Sequence, residues 1–292
     1  MGESTAIEWT DATWNPWRGC DKVSPGCAHC YMFRDQRRYG KDPETVVRAA
    51  DPTFTAPFSV KWRGKALQIE MDEERRMRVF TCSWSDFFHP AADGLWRTQA
   101  WALIRQLPQY DFQILTKRPE RIAGHLPDDW GDGYPNVWLG VSIENRRFVH
   151  RADLLREVPA AVRFISAEPL LGPLLCELTG REPFDGCDDC GAAGPEYELA
   201  GRLYCERCSE RHSLDLTRID WLIVGGESGP GHRPMHPQWV RDLRDACDPG
   251  GGWEPTTTFF FKQWGGPRPD SNGRELDGRT WSEFPASAGV AA

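Results

Sequence analysis

No apolar run in the 292-residue sequence approaches the length that crosses a bilayer, and its first residues, MGESTAIEWTD, lack the basic-then-apolar character of a secretory signal. The expectation is a cytoplasmic protein with no membrane partner. Excess positive charge is missing too: the net charge is −8, so overall charge does not draw the chain to nucleic acid. A local basic site is still allowed.

Cysteine, in contrast, is plentiful, with ten in the chain. In a reducing compartment these read as metal ligands or core thiols rather than a disulfide framework. Three of them, Cys20, Cys27 and Cys30, fall in the single stretch WNPWRGCDKVSPGCAHCYM, separated by six and two residues. A disulfide uses two thiols and a structural zinc four ligands. Three thiolates on a cubane iron–sulfur cluster leave one iron without a protein ligand, open to a substrate or cofactor. A zinc site completed by His29 or a distant ligand is the alternative. Four more cysteines form two knuckles, Cys187-Asp-Asp-Cys190 and Cys205-Glu-Arg-Cys208, with the spacing of a four-thiolate zinc ribbon. Four soft ligands close the coordination sphere, which makes that metal structural; an auxiliary iron–sulfur or rubredoxin-like iron site is the alternative. Cys82, Cys176 and Cys247 read as core thiols.

Short apolar runs recur at 78–83, 112–116, 137–142, 162–166, 220–226 and 257–262, with helix candidates such as 95–107 and 237–247 between them. Runs apolar at nearly every position suit strands buried on both faces, and alternation of strand with helix builds right-handed βαβ units. With a further strand expected near Glu8–Trp14, the fold class is α/β: an incomplete parallel (β/α) barrel of six to seven strands. The ribbon reads as an insertion at 178–217 that divides the barrel into 1–177 and 218–292.

In such folds chemistry sits at the C-terminal strand ends. Those ends carry Ser83, Ser85 and Asp86; Thr116, Lys117 and Arg118; Ser142, Glu144 and Asn145; Ser166 and Glu168; Glu227 and Ser228; Lys262 and Gln263. Strand alternation is expected to set Thr81 and Ser83 on one face and Cys82 on the other. Basic residues at the same loops, Lys117, Arg118, Arg121, Arg146, Arg147, Arg151, His232, Arg233 and His236, together with Arg34, Arg37 and Arg38, predict a phosphate-binding mouth. Trp84 and Trp264 offer stacking surfaces for bases.

The ordered blocks IEWTDATWNPWRGC, SPGCAHCY, SWSDFF, LTKRPERI, VWLGVSIEN, FISAEPLLGP, WLIVGGESGPGHRP, FFFKQWGG and ELDGRTWSEFP resemble the phage Gp37/Gp68-like family, a domain of unknown function. The cysteine triad ahead of a parallel barrel resembles the radical S-adenosylmethionine (SAM) superfamily. That superfamily's usual gaps are three and two residues, with an aromatic before the last cysteine; here the first gap is six and His29 fills that slot. A more distant likeness is to the spore photoproduct lyases, which reverse a thymine lesion in DNA. These resemblances imply a 4Fe–4S cluster that binds SAM and cleaves it by one electron to a 5′-deoxyadenosyl radical. They also imply an electron donor such as flavodoxin or ferredoxin, and a nucleic acid or nucleotide substrate in lesion repair or base modification. By position the SAM contacts would come from Ser83, Ser85, Lys117 on the carboxylate, Ser142 on the ribose, Glu144 and Glu168. Gly225-Gly226-Glu227 is similar to the superfamily's Gly-Gly-Glu signature but follows the sixth strand; a turn that admits bound cofactor and a plain strand-to-helix turn are both open. A metal-binding module that engages nucleic acid or a protein partner without radical chemistry is the competing expectation.

Overall fold

Seven short apolar segments line up side by side in the computed structural model, which describes residues 4–175, 177–178, 188, 197–199, 202–204, 213–248 and 257–286. They are β1 (Ala12–Trp14), β2 (Met77–Thr81), β3 (Tyr110–Thr116), β4 (Val137–Ser142), β5 (Val162–Ala167), β6 (Trp221–Gly225) and β7 (Thr258–Gln263). Each pairs in parallel with the next in chain order, and the sheet curls into a half barrel. The α/β partial barrel expected from the sequence is therefore present, with the upper of the two strand counts.

Every residue of β4 and β6 is buried, because both faces of the sheet are covered. On the convex face Val79, Phe112, Ile114, Leu139 and Leu222 pack with helix residues such as Trp62, Trp101, Leu155 and Leu243. The helices that supply this layer and flank the barrel mouth are α1 (Tyr31–Arg38), α2 (Val60–Glu73), α3 (Gly94–Arg105), α4 (His150–Arg156) and α5 (Pro237–Cys247). On the concave face Trp9, Phe80, Trp138, Phe164, Trp221, Ile223 and Phe260 form a separate apolar cluster. Trp138, Phe164, Trp221 and Phe260 lie in the first halves of their strands, so aromatic side chains fill much of the base of the concave face, where the buried Gln113 amide donates to Trp9 O at 3.2 Å. Gly140 makes this filling fit, since a Cβ there would lie 2.4 Å from the Phe164 ring.

Two expectations change at the end of β2. Val79 belongs to the convex cluster and Phe80 to the concave one, so alternation leaves Thr81 on the convex side. Cys82 then takes φ +63°, which ends the strand and its alternation before Ser83. Ser83 is thus set by a turn and not by the strand's concave face. Cys82 and Cys247 are buried in the convex core, as expected of core thiols.

Between β5 and β6, Glu177–Leu178, Tyr197–Leu199 and Arg202–Tyr204 form a small antiparallel sheet. The expected ribbon ligands Cys187, Cys190, Cys205 and Cys208, and also Cys176, lie outside the described residues. Among the described residues no helix is long and apolar enough to cross a membrane.

Candidate metal centre

The cysteine loop leaves β1 through a short antiparallel pairing of Trp17–Arg18 with Val47–Arg48. Gly19 then takes φ +97°, and a Cβ at that position would stand 2.2 Å from the Thr45 carbonyl oxygen. Only glycine fits this crossing. The Gly19 N–H donates to Trp84 O at 3.0 Å and the Cys20 N–H to Pro43 O at 2.9 Å, which fixes the start of the loop. A single 3₁₀ turn, Pro25–Cys27, follows, and Cys30 caps the N-terminus of α1.

All three thiols are free, with Cys27 buried and Cys20 and Cys30 half-buried. Burial is the main force that pushes the Cys20 thiol up to about 12; the Asp86 carboxylate and Cys27 push the same way, and the Arg118 guanidinium, 3.8 Å from Sγ, opposes them. Cys30 is also raised, chiefly by burial and further by Cys27, against the N–H groups of Met32 and Phe33 at the start of α1 and the charge of Lys117. As they stand Cys20 and Cys30 hold their protons at neutral pH, and coordination by a metal would reverse that by stabilising the thiolates.

Among the described residues no three His, Cys, Asp or Glu side chains are gathered as ligands of one metal ion. His29, the alternative fourth ligand, has its Nδ1 3.0 Å from Glu227 Oε2 and is engaged there.

Three strand ends clamp the loop. At the end of β4, Glu144 is wholly buried; its Oε1 accepts from Ser24 Oγ at 2.6 Å and faces Lys117 Nζ at 2.7 Å, and its Oε2 lies 3.2 Å from Arg151 Nη1. Burial alone would raise this carboxyl, but Lys117, Ser24 and Arg151 outweigh it and hold the group below the ordinary carboxylate range. Gly26 allows the fit, because a Cβ there would sit 2.6 Å from the Glu144 side chain. After β6, Glu227 accepts from the Arg233 N–H and Nε at 2.9 Å each, and Arg233 Nη2 donates to Pro25 O at 3.0 Å. Burial opposes ionisation of Glu227, yet Arg233 and His29 bring its pKa down to about 2. After β2, Ser85 Oγ donates to Gly19 O at 2.6 Å, Asn15 Nδ2 to Ser83 Oγ at 2.9 Å, and Tyr31 Oη to Ser83 O at 2.7 Å.

The residues expected to contact a cofactor thus fall into two groups. Ser83, Ser85 and Glu144 hold the loop that carries the cysteines. Lys117, Ser142 and Glu168 stand at the polar mouth, with Lys117 and Ser142 on the concave side of their strands, in line with Leu115 and with Trp138. Glu168 Oε1 lies 2.8 Å from Lys262 Nζ.

Five of the twelve basic residues expected to form an open phosphate mouth are instead engaged within the chain. Lys117 and Arg151 pair with Glu144, Arg118 with Asp86 and Arg233 with Glu227, and Arg121 Nε donates to Phe88 O at 2.8 Å. Arg37 and Arg38 stay exposed in the last turn of α1. Half-buried Trp84 lies 6.3 Å from the exposed Tyr39 ring, whereas Trp264 packs on Phe261 and donates to Glu275 O. At Gly226 a Cβ would be 2.1 Å from Trp264 O and at Gly225 2.8 Å from Glu168 Oε1, so close packing within the chain already explains this pair. Ser24 and Gly26 acquire roles that the sequence did not single out, and Arg233, expected at a phosphate-binding mouth, instead holds Glu227 and Pro25 O. The Pro25-Gly26 turn was the one local signal; Ser24 and Glu144 are 120 residues apart.

A family model described as a protein of unknown function (DUF5131) matches residues 4–285. No curated protein and no solved structure matches the chain.

Proposed function

For this chain, which belongs to the DUF5131 family of proteins of unknown function, we propose a radical SAM enzyme with a 4Fe–4S cluster on Cys20, Cys27 and Cys30. The observation that carries it is the position of three free, neighbouring thiols in a loop clamped over the C-terminal mouth of a parallel half barrel, with Lys117 at the same mouth. Bound there, the cluster would supply the electron that cleaves SAM to a 5′-deoxyadenosyl radical.

The chain's own groups bind and orient. Lys117 is the cation for the SAM carboxylate, and when it turns away from Glu144 that carboxylate keeps Arg151 and Ser24 as partners. Ser142 is the hydroxyl for the ribose. Ser83, Ser85 and Glu227 hold the loop against the barrel, and the aromatic base of the concave face closes the site from below. A nucleic acid or nucleotide is the proposed substrate, supported by the exposed Arg37 and Arg38 and the Tyr39–Trp84 pair beside the cysteine loop. A zinc on Cys187, Cys190, Cys205 and Cys208, a flavodoxin- or ferredoxin-type electron donor and a cytoplasmic location complete the proposal.

The three clamps favour one competing reading, in which the triad only staples the N-terminal loop of an interaction module. Metal analysis of anaerobically purified protein separates the two. A brown protein with about four irons per chain and matching sulfide supports the cluster; zinc alone on the triad overturns it.

A further inference from the structure

Helix α2 is apolar on two opposite sides. One side turns Trp62, Ala66 and Ile69 into the convex core. The other carries Val60, Leu67 and Met71, which are 79%, 57% and 70% exposed, with Gly64 among them. Their spacing of four, three and four residues is that of a heptad seam, and the row runs about 16 Å along the helix. Gly64 has no packing reason within its own chain, since a Cβ there would meet nothing within 4 Å. Glycine is a poor helix former, and a second helix that crosses closely would give it a purpose.

The charges beside this row identify what covers it. Lys61 and Arg63 flank its N-terminal half, and Glu70 and Asp72 its C-terminal half, all exposed. At about 100° per residue, Lys61 and Asp72 lie along one edge of the row and Arg63 and Glu70 along the other. We propose that α2 pairs antiparallel with α2 of a second copy of this chain. In one register Val60 meets the partner's Met71, Gly64 meets the partner's Leu67, Arg63 meets the partner's Glu70 and Lys61 meets the partner's Asp72. The two-fold axis makes each contact twice. A parallel pair would instead set Lys61 beside the partner's Arg63 and Glu70 beside the partner's Asp72, which is repulsive at both ends. One helix pair is smaller than a standard interface, and each copy carries a net charge of −8, so the dimer is weak and concentration-dependent.

Analytical ultracentrifugation of the full chain across the micromolar range tests this. Wild type shows a reversible monomer–dimer equilibrium, and Leu67→Lys weakens it by at least about tenfold. Arg63→Glu and Glu70→Arg each weaken it, and the double variant returns to within about threefold of wild type, because the exchanged charges still meet across the axis. Arg63 and Glu70 are seven residues apart on one helix and do not touch within a chain, so the rescue reports on the partner. All three positions are exposed, and circular dichroism confirms that each variant is folded. A monomeric wild type, a dimer indifferent to Leu67→Lys, or a double variant no better than the singles overturns the proposal.

Discussion

Lys117 Nζ lies 2.7 Å from Glu144 Oε1, the same carboxylate oxygen that takes the Ser24 hydroxyl at 2.6 Å. One buried carboxylate thereby joins the end of β3, the end of β4 and the cysteine loop. Glu144→Gln keeps the shape but leaves Lys117 and Arg151 without their counter-charge. The variant is expected to lose on the order of 3 kcal/mol in urea unfolding, in the range for a buried pair deprived of one partner. A loss below about 0.5 kcal/mol would show that the clamp does not matter to stability.

Acid should loosen the same loop through Glu227. Its folded-state pKa of about 2 lies below the value near 4.5 of an unperturbed glutamate, so the folded state binds fewer protons than the unfolded one between these values. The resulting stability is present in full above about pH 4.5 and declines as the pH falls toward 2. Glu227→Gln flattens this part of the stability–pH curve, as measured by denaturant midpoints from pH 2 to 6. A curve of unchanged slope contradicts the assignment.

Gly19→Ala places a Cβ against the Thr45 carbonyl at a backbone angle that alanine resists, φ +97°. A destabilisation of at least about 2 kcal/mol is expected, together with reduced iron content after anaerobic reconstitution. Gly40→Ala is the control, because its Cβ would meet nothing within 4 Å although φ is also positive there. Equal iron content in both variants would detach the Gly19 crossing from metal binding.

Lys117→Met separates cofactor binding from cluster binding. It should weaken SAM by about 1.5–3 kcal/mol, the range for a hydrogen bond to a charged group, without loss of iron. Electron paramagnetic resonance of the reduced cluster during a SAM titration measures it. Equal affinity in the two proteins would return Lys117 to a purely structural role with Glu144.

The barrel was legible in the sequence because both-face burial writes continuous apolar runs: VWLGVS and DWLIVGG are β4 and β6 almost residue for residue. Helix 237–247 was legible from its amphipathic pattern. The end of β2 was not, because a left-handed Cys82 leaves no mark in composition. Nor was the fate of the basic residues: charge counts reveal that Lys117, Arg151 and Arg233 exist, but only the fold shows that Glu144 and Glu227 neutralise them. The polar rim was correctly located at the strand ends. Its division into residues that hold the loop, such as Ser85, and residues that face the mouth, such as Lys117, depends on contacts between distant segments.

The most direct test of the proposed chemistry is product analysis of anaerobic, reduced protein incubated with SAM. Wild type is expected to release 5′-deoxyadenosine, and the variant with Cys20, Cys27 and Cys30 all replaced by alanine none. Wild type with a full complement of cluster iron and sulfide that forms no 5′-deoxyadenosine, or a triple variant that forms as much as wild type, would contradict the account.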